Sequence, residues 1–121
     1  MTTKITLADK FARIDEHWRP RVAAELNGQE LKLAKLKGAF PWHRHDDADE
    51  MFLVWRGSIR LEFRDCAVTL GPGEAFVVPR GVEHRPVADE EAEVLLFEPA
   101  GVKNTGNVDD PHFTAPQGAR I

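Results

Sequence analysis

The chain has 121 residues, enough for one compact domain and too few for two independent cores. Hydrophobic residues make up 42% and aromatic residues 8%, which supports a buried core and excludes general disorder. A formal net charge of −4 without any basic run argues against nucleic-acid partners, and no stretch has the apolar length of a membrane span.

The single cysteine, Cys66, leaves no internal disulfide framework and no thiolate cluster, and reads as a small, partly buried strand residue. Met1 to Lys10 lack the apolar core of a secretory leader, so a soluble, cytoplasmic protein is expected.

In chain order, residues 1–20 form a helical segment. Thr6 followed by Asp9 resembles a capping box, and Leu7, Phe11, Ile14 and Trp18 recur at helical spacing until Arg19-Pro20 stops the run. His17 in this stretch reads as a surface histidine. Residues 21–100 change to short strands. Asn27-Gly28 between Ala23–Leu26 and Gln29–Leu33 predicts a two-residue hairpin, because both residues tolerate positive φ. Glu50–Trp55 and Ser58–Phe63 flank Gly57, and the second run alternates apolar and polar side chains.

Ala67–Leu70, Ala75–Val78, Arg85–Ala88 and Glu93–Phe97 read as further strands. Gly71-Pro72-Gly73-Glu74 fits a type II turn, and Pro79-Arg80-Gly81 fits another sharp one. Strands at this spacing predict an all-β sandwich or barrel without βαβ crossovers. Residues 101–121 are rich in Gly, Pro, Asn, Asp and Thr, and are expected as an irregular tail or as an arm laid across a neighbour, with His112 solvated.

Alternation puts His43 and His45 on one face while Arg44 points away. Glu50 on a following strand, and His84 beyond the second turn, can close on the same point. Three neutral imidazoles and a carboxylate suit a divalent transition metal (Zn, Mn, Fe, Ni, Co or Cu) better than Ca or Mg. On an octahedral ion these four ligands leave two positions for water or substrate. The alternative is a metal-free barrel whose histidines are satisfied polar core groups. The acidic run Asp46-Asp47-Ala48-Asp49 lacks the spacing of a calcium loop and reads as a solvated turn.

These residues carry a resemblance. His43, His45, Glu50 and Gly57 match the first motif of the cupin superfamily, and Gly73, Pro79, Gly81 and His84 match its second. Gly38 stands one residue too close to His43, and Ala88 stands where the family has Asn; neither departure removes a ligand. The chain thus resembles a small single-domain cupin of the conserved-barrel type, akin to the mannose-6-phosphate isomerase-like members, over about Leu31 to Glu98. The resemblance implies an antiparallel double-sheet β-barrel (jelly-roll) with a short N-terminal helix. It also implies one divalent transition metal on His43, His45, Glu50 and His84. A metal-dependent isomerase, dioxygenase, lyase or cyclase acting on a small polar or chelating molecule follows as the expected function, with a non-catalytic small-molecule sensor as the alternative.

Counting back from His43 by twos puts Lys37 and Lys35 on the ligand face, if the strand is continuous, as candidate catalytic or anion-attracting groups; solvated edge lysines are the alternative. Phe52 and Val54 share the face of Glu50, whereas Met51, Leu53 and Trp55 point outward. That second apolar face needs cover, and a homodimer is expected to supply it. Glu83 reads as an exposed turn residue.

Overall fold

A computed structural model describes residues 3–121. One short helix, α1 (Leu7–Ala12), precedes seven strands: β1 (Arg21–Leu26), β2 (Gln29–Ala39), β3 (Glu50–Arg56), β4 (Ile59–Phe63), β5 (Ala67–Leu70), β6 (Ala75–Val78) and β7 (His84–Pro99). All strand pairs are antiparallel. The order β1-β2-β7-β3-β6 makes one face of a barrel, and β4, paired with β5 and with the first half of β7, makes the other.

One strand belongs to both faces because it bends. The stretches expected as Arg85–Ala88 and Glu93–Phe97 are halves of a single β7. Its first half pairs with β4, its second half with β3, and β2 spans both. At the bend, the register on β2 shifts between Leu36 and Gly38. Gly57 lies against this corner: a Cβ there would stand 3.0 Å from the Glu91 carbonyl oxygen and 3.1 Å from Ala92 Cα. A side chain would push the β3–β4 connection off β7.

The turns form as the sequence predicts. Asn27 and Gly28 take φ of 52° and 79°, the pair of positive values that a type I′ hairpin requires. Glu74 N–H donates to Gly71 O across Pro72-Gly73 at 3.0 Å. The helix is shorter than the apolar stripe suggested. Thr6 occupies the N-cap, but its side chain makes no capping bond, and the helix ends at Ala12. Six residues give too few hydrogen bonds to propagate further. Trp18 instead turns to φ 63° and docks on β2, its backbone N–H on Lys35 O at 2.9 Å and its indole Nε1–H on Lys37 O at 2.8 Å.

The main core fills the barrel, with Leu36, Phe52, Val54, Ile59, Leu61 and Val94 among its members. A second cluster of Phe11, Ile14 and Leu33 lies outside β2, under the N-terminal segment. Cys66, expected to be partly buried, is exposed beyond the end of β4, where the chain has already left the sheet. Residues 101–121 lie across the chain's own barrel. Val22 N–H donates to Ala119 O at 2.7 Å, Ile121 N–H donates to Val22 O at 3.1 Å, and Phe113 packs edge-on against Phe40 and Trp18. His112 is exposed, as is His17, which pairs with Glu91 at 2.7 Å. No helix among the described residues is long and apolar enough to cross a membrane.

Candidate metal centre

Two loops meet at one end of the barrel. Residue 43 pairs with the start of β7: His43 N–H donates to His84 O at 3.0 Å, and His84 N–H donates back at 2.9 Å. The alternation read from sequence holds here, since His43 and His45 are buried and Arg44 is exposed. Glu50 opens β3 opposite Val78 of β6. The Pro79–Val82 turn carries Gly81 at φ 78°, so that Gly81 N–H reaches His45 O at 2.8 Å. Asp49 clasps the same turn, accepting from Arg80 N–H at 2.9 Å. A turn of Pro and Gly therefore fixes the two ligand-bearing loops against each other.

His43, His45, Glu50 and His84 are all buried, and one ligand atom from each lies within 4.8 Å of the others. Ligand distances near 2.0–2.2 Å place donors on one ion about 3 to 4 Å apart, so a single cation accounts for the spacing. Ring orientation is fixed from behind. His43 Nδ1–H donates to Pro41 O at 2.9 Å, and His84 Nδ1–H donates to Val82 O at 2.9 Å. Each bond holds the tautomer that leaves Nε2 with a free lone pair. His45 Nε2 and His84 Nε2 are buried with no hydrogen-bond partner among the described residues, and face Glu50 Oε1 at 3.4 and 3.7 Å. Orphaned polar atoms in a dry site are costly, and a bound cation removes the cost.

Protonation follows the same logic. Burial, then the neighbouring His84, lowers His43 to about 4, so its imidazole is neutral at physiological pH. Burial by itself would raise Glu50, but the imidazoles of His45 and His84 and the carboxyl of Glu98 outweigh it and hold Glu50 well below the usual carboxylate range. A neutral His43 imidazole and an ionised Glu50 are the states a metal needs of those two groups.

The cluster opens on one side, through His43 and Glu50, to a small cavity also lined by Trp18, Leu36, Phe40 and Phe52. Lys35 and Lys37 do not line it. Lys35 sits 4.0 Å from Glu93 on the opposite face of β2, and Lys37 is exposed. Even parity holds from Ala34 through Leu36 to Phe40, all of which line the cavity, and changes to odd only at His43, in the irregular stretch beyond the end of β2, so counting back by twos from His43 lands on the wrong face. Even-numbered residues of β2 face inward: Ala34 and Leu36 line the cavity, and Lys32 is buried beside it.

Two charged residues there escape sequence reading. Glu98 lines the cavity next to Glu50, and Lys32 Nζ donates to its Oε1 at 2.8 Å. Lys32 also lies 3.7 Å from Glu30 and bonds Val102 O at 3.3 Å. Burial and the Glu50 carboxylate push Glu98 up to about 10, so one of the two neighbouring carboxyls keeps its proton. Charged residues within the apolar alternation of β2 and β7 were the available signal.

The C-terminal segment braces the ligand loop from outside. Asn107 N–H donates to Arg44 O at 3.0 Å, and Arg44 N–H donates to Asn107 Oδ1 at 2.8 Å. Gly106 passes so close that a Cβ would collide with the Arg44 carbonyl oxygen and stand 3.2 Å from His45 Nδ1. Glu83 is held away from the site by Arg64 at 2.6 Å.

Comparison with known proteins adds a family match. Residues 30–98 match the cupin domain family. The uncharacterized protein YdbB of Bacillus subtilis is 33% identical over 86 residues, covering 62% of this chain and 76% of that one. A cupin-2 domain containing protein from Shewanella frigidimarina superposes with a TM-score of 0.78 at 47% identity, covering 78% of this chain and 93% of the other. The crystal structure of protein NMB1881 from Neisseria meningitidis superposes with a TM-score of 0.75 at 31% identity, covering 81% and 100% of the two chains.

Proposed function

This chain belongs to the cupin family, and on that premise we propose that it is a metal-dependent enzyme acting on a small chelating molecule inside its barrel. One observation carries the reading: buried, partnerless imidazole nitrogens converge with an ionised carboxylate beside an accessible cavity. His43, His45, Glu50 and His84 would hold one divalent transition metal such as Zn, Mn, Fe or Ni. Bound there, the metal would supply Lewis-acid polarisation of a substrate oxygen, or redox chemistry if it is iron.

The chain's own groups define the rest. Pro41 O and Val82 O keep the rings oriented, Glu50 contributes the single negative charge of the ligand set, and the apolar barrel wall excludes water. Glu98, carrying a proton at neutral pH beside Glu50, is the candidate general acid. A non-catalytic ligand-sensing role is the second reading. What favours it is the shortage of other uncommitted polar groups on the cavity wall, since Asn104 spends its amide on Phe113 O and Ala115 N–H.

We further propose a homodimer. Trp55 and Val77 are 42% and 50% exposed on the outer face of β3 and β6, beside Met51 and Leu53, and a second copy would cover them.

The decisive experiment is elemental analysis of the purified protein, with reactivity screening after the native metal is restored. A stoichiometric transition metal that disappears in folded His45→Ala protein supports the proposal. Folded wild-type protein that takes up no Zn, Mn, Fe or Ni refutes it.

A further inference from the structure

Resting on the metal-site reading, we infer that the cavity selects a small, largely apolar molecule carrying a bidentate oxygen head of at most one negative charge. Phosphorylated and polyhydroxylated compounds are excluded. The inference follows from what the wall offers. Trp18, Leu36, Phe40, Phe52 and Leu96 surround the space above His43 and Glu50, and their side chains present no hydrogen-bonding group to a ligand. The one indole N–H among them is already given to Lys37 O.

The wall carries adjoining rings. Phe40 stands 4.8 Å from Trp18 and 5.2 Å from the His43 ring, centroid to centroid. A planar group entering there meets ring edges and faces down to the ligand imidazoles, the arrangement that favours an aromatic guest.

The polar groups that do reach the cavity are committed. His43 and Glu50 belong to the metal set, and Asn104 is bonded at both ends of its amide. Glu98 has one oxygen on Lys32 and one, Oε2, buried without a partner; it offers a single polar contact next to Glu50. Among the described residues the nearby cation, Lys32, is spent on Glu98, Glu30 and Val102 O. A phosphate would find no Arg or Lys among the described residues that line the cavity, and a sugar would leave most of its hydroxyls desolvated without partners, which costs far more than its carbon skeleton returns. A divalent ion on one carboxylate and three neutral imidazoles leaves a net single positive charge, which matches a monoanionic head.

Protein loaded with Co(II) provides the test. Titration with benzohydroxamate and acetohydroxamate compares one head group with and without an apolar tail, and glucose 6-phosphate serves as the polar anion. Binding is read from the cobalt d–d spectrum and by calorimetry. Benzohydroxamate is expected to bind at least about tenfold tighter than acetohydroxamate, because the phenyl ring leaves water for an apolar wall, and glucose 6-phosphate weaker than both. Equal affinity for the two hydroxamates, or tighter binding of glucose 6-phosphate by cobalt-loaded protein, overturns the inference while leaving the metal site intact. Folded protein that takes up no cobalt overturns both together.

Discussion

Gly106→Ala isolates the brace that the C-terminal segment places on the ligand loop. A methyl at residue 106 would collide with the Arg44 carbonyl oxygen and lie 2.9 Å from the carbonyl carbon, closer than the 3.0 Å that real Cβ atoms respect. Both obstacles are backbone, so no side-chain rotation relieves them. The segment must lift, breaking Asn107 N–H to Arg44 O and Arg44 N–H to Asn107 Oδ1. Two hydrogen bonds at about 1 kcal/mol each, with about 1 kcal/mol for a left-handed alanine, give a loss near 3 kcal/mol. For a domain of this length that lowers Tm by about 10 °C. His45 loses its outer support at the same time, and metal affinity should fall about tenfold or more, as it does when groups that orient a ligand are lost. Gly101→Ala is the control: φ is 83° there but nothing lies within 4 Å, so only the strain of about 1 kcal/mol remains, with metal affinity unchanged. Urea denaturation and competition with a chromophoric chelator measure both quantities. If Gly106→Ala matches Gly101→Ala in stability and in metal affinity, the brace has no part in holding the site.

His84→Ala should abolish stoichiometric metal binding by elemental analysis while the circular dichroism spectrum stays that of a β-barrel, since its backbone bonds to residue 43 survive the substitution. Metal-free protein should lose stability as pH falls from about 6.5 towards 4. His43 is harder to protonate folded than unfolded, so the unfolded state takes up more protons in that window, worth up to about 3 kcal/mol. Denaturation midpoints at pH 7 and pH 5 check the sign. Glu98→Gln acts on the opposite limb: a carboxyl raised to about 10 costs the folded state stability as pH rises above 4.5, by up to about 1.4 kcal/mol per unit. The variant should therefore lose less stability than wild type between pH 6 and 9, measured by urea denaturation. If the proposed homodimer forms, Val77→Glu should give a monomer in light scattering with the barrel fold intact by circular dichroism, because the side chain is 50% exposed within one chain.

What the sequence disclosed and what it hid divide along a physical line. Ligand identity and turn chemistry are local. His43 and His45 alternate around exposed Arg44 over three residues, and Gly81 and Gly73 sit where positive φ is compulsory, so both were readable without any partner strand. The lysine assignment needed parity to survive from β2 to His43, and the irregular stretch between Phe40 and His43, beyond the end of the strand, reversed it. Lys32 and Glu98 face each other only because β2 and β7 pair across 66 positions of sequence, a register that no local pattern fixes. Trp18 left the helix because its indole N–H found a carbonyl on β2, an attraction invisible to helical periodicity.

The same line explains how the site is built. The barrel brings two ligand-bearing loops to one end, but the tautomers of His43 and His84 depend on carbonyls of loop residues, and the position of His45 depends on a glycine 61 residues further on. The barrel supplies convergence, while the irregular segments supply orientation and bring Trp18 onto the cavity. Substitutions in the core strands should therefore act on stability and metal retention together. Substitutions at Trp18 or Phe40 should change which molecule binds while the metal stays, and that separation is the behaviour a merely structural histidine cluster could not show.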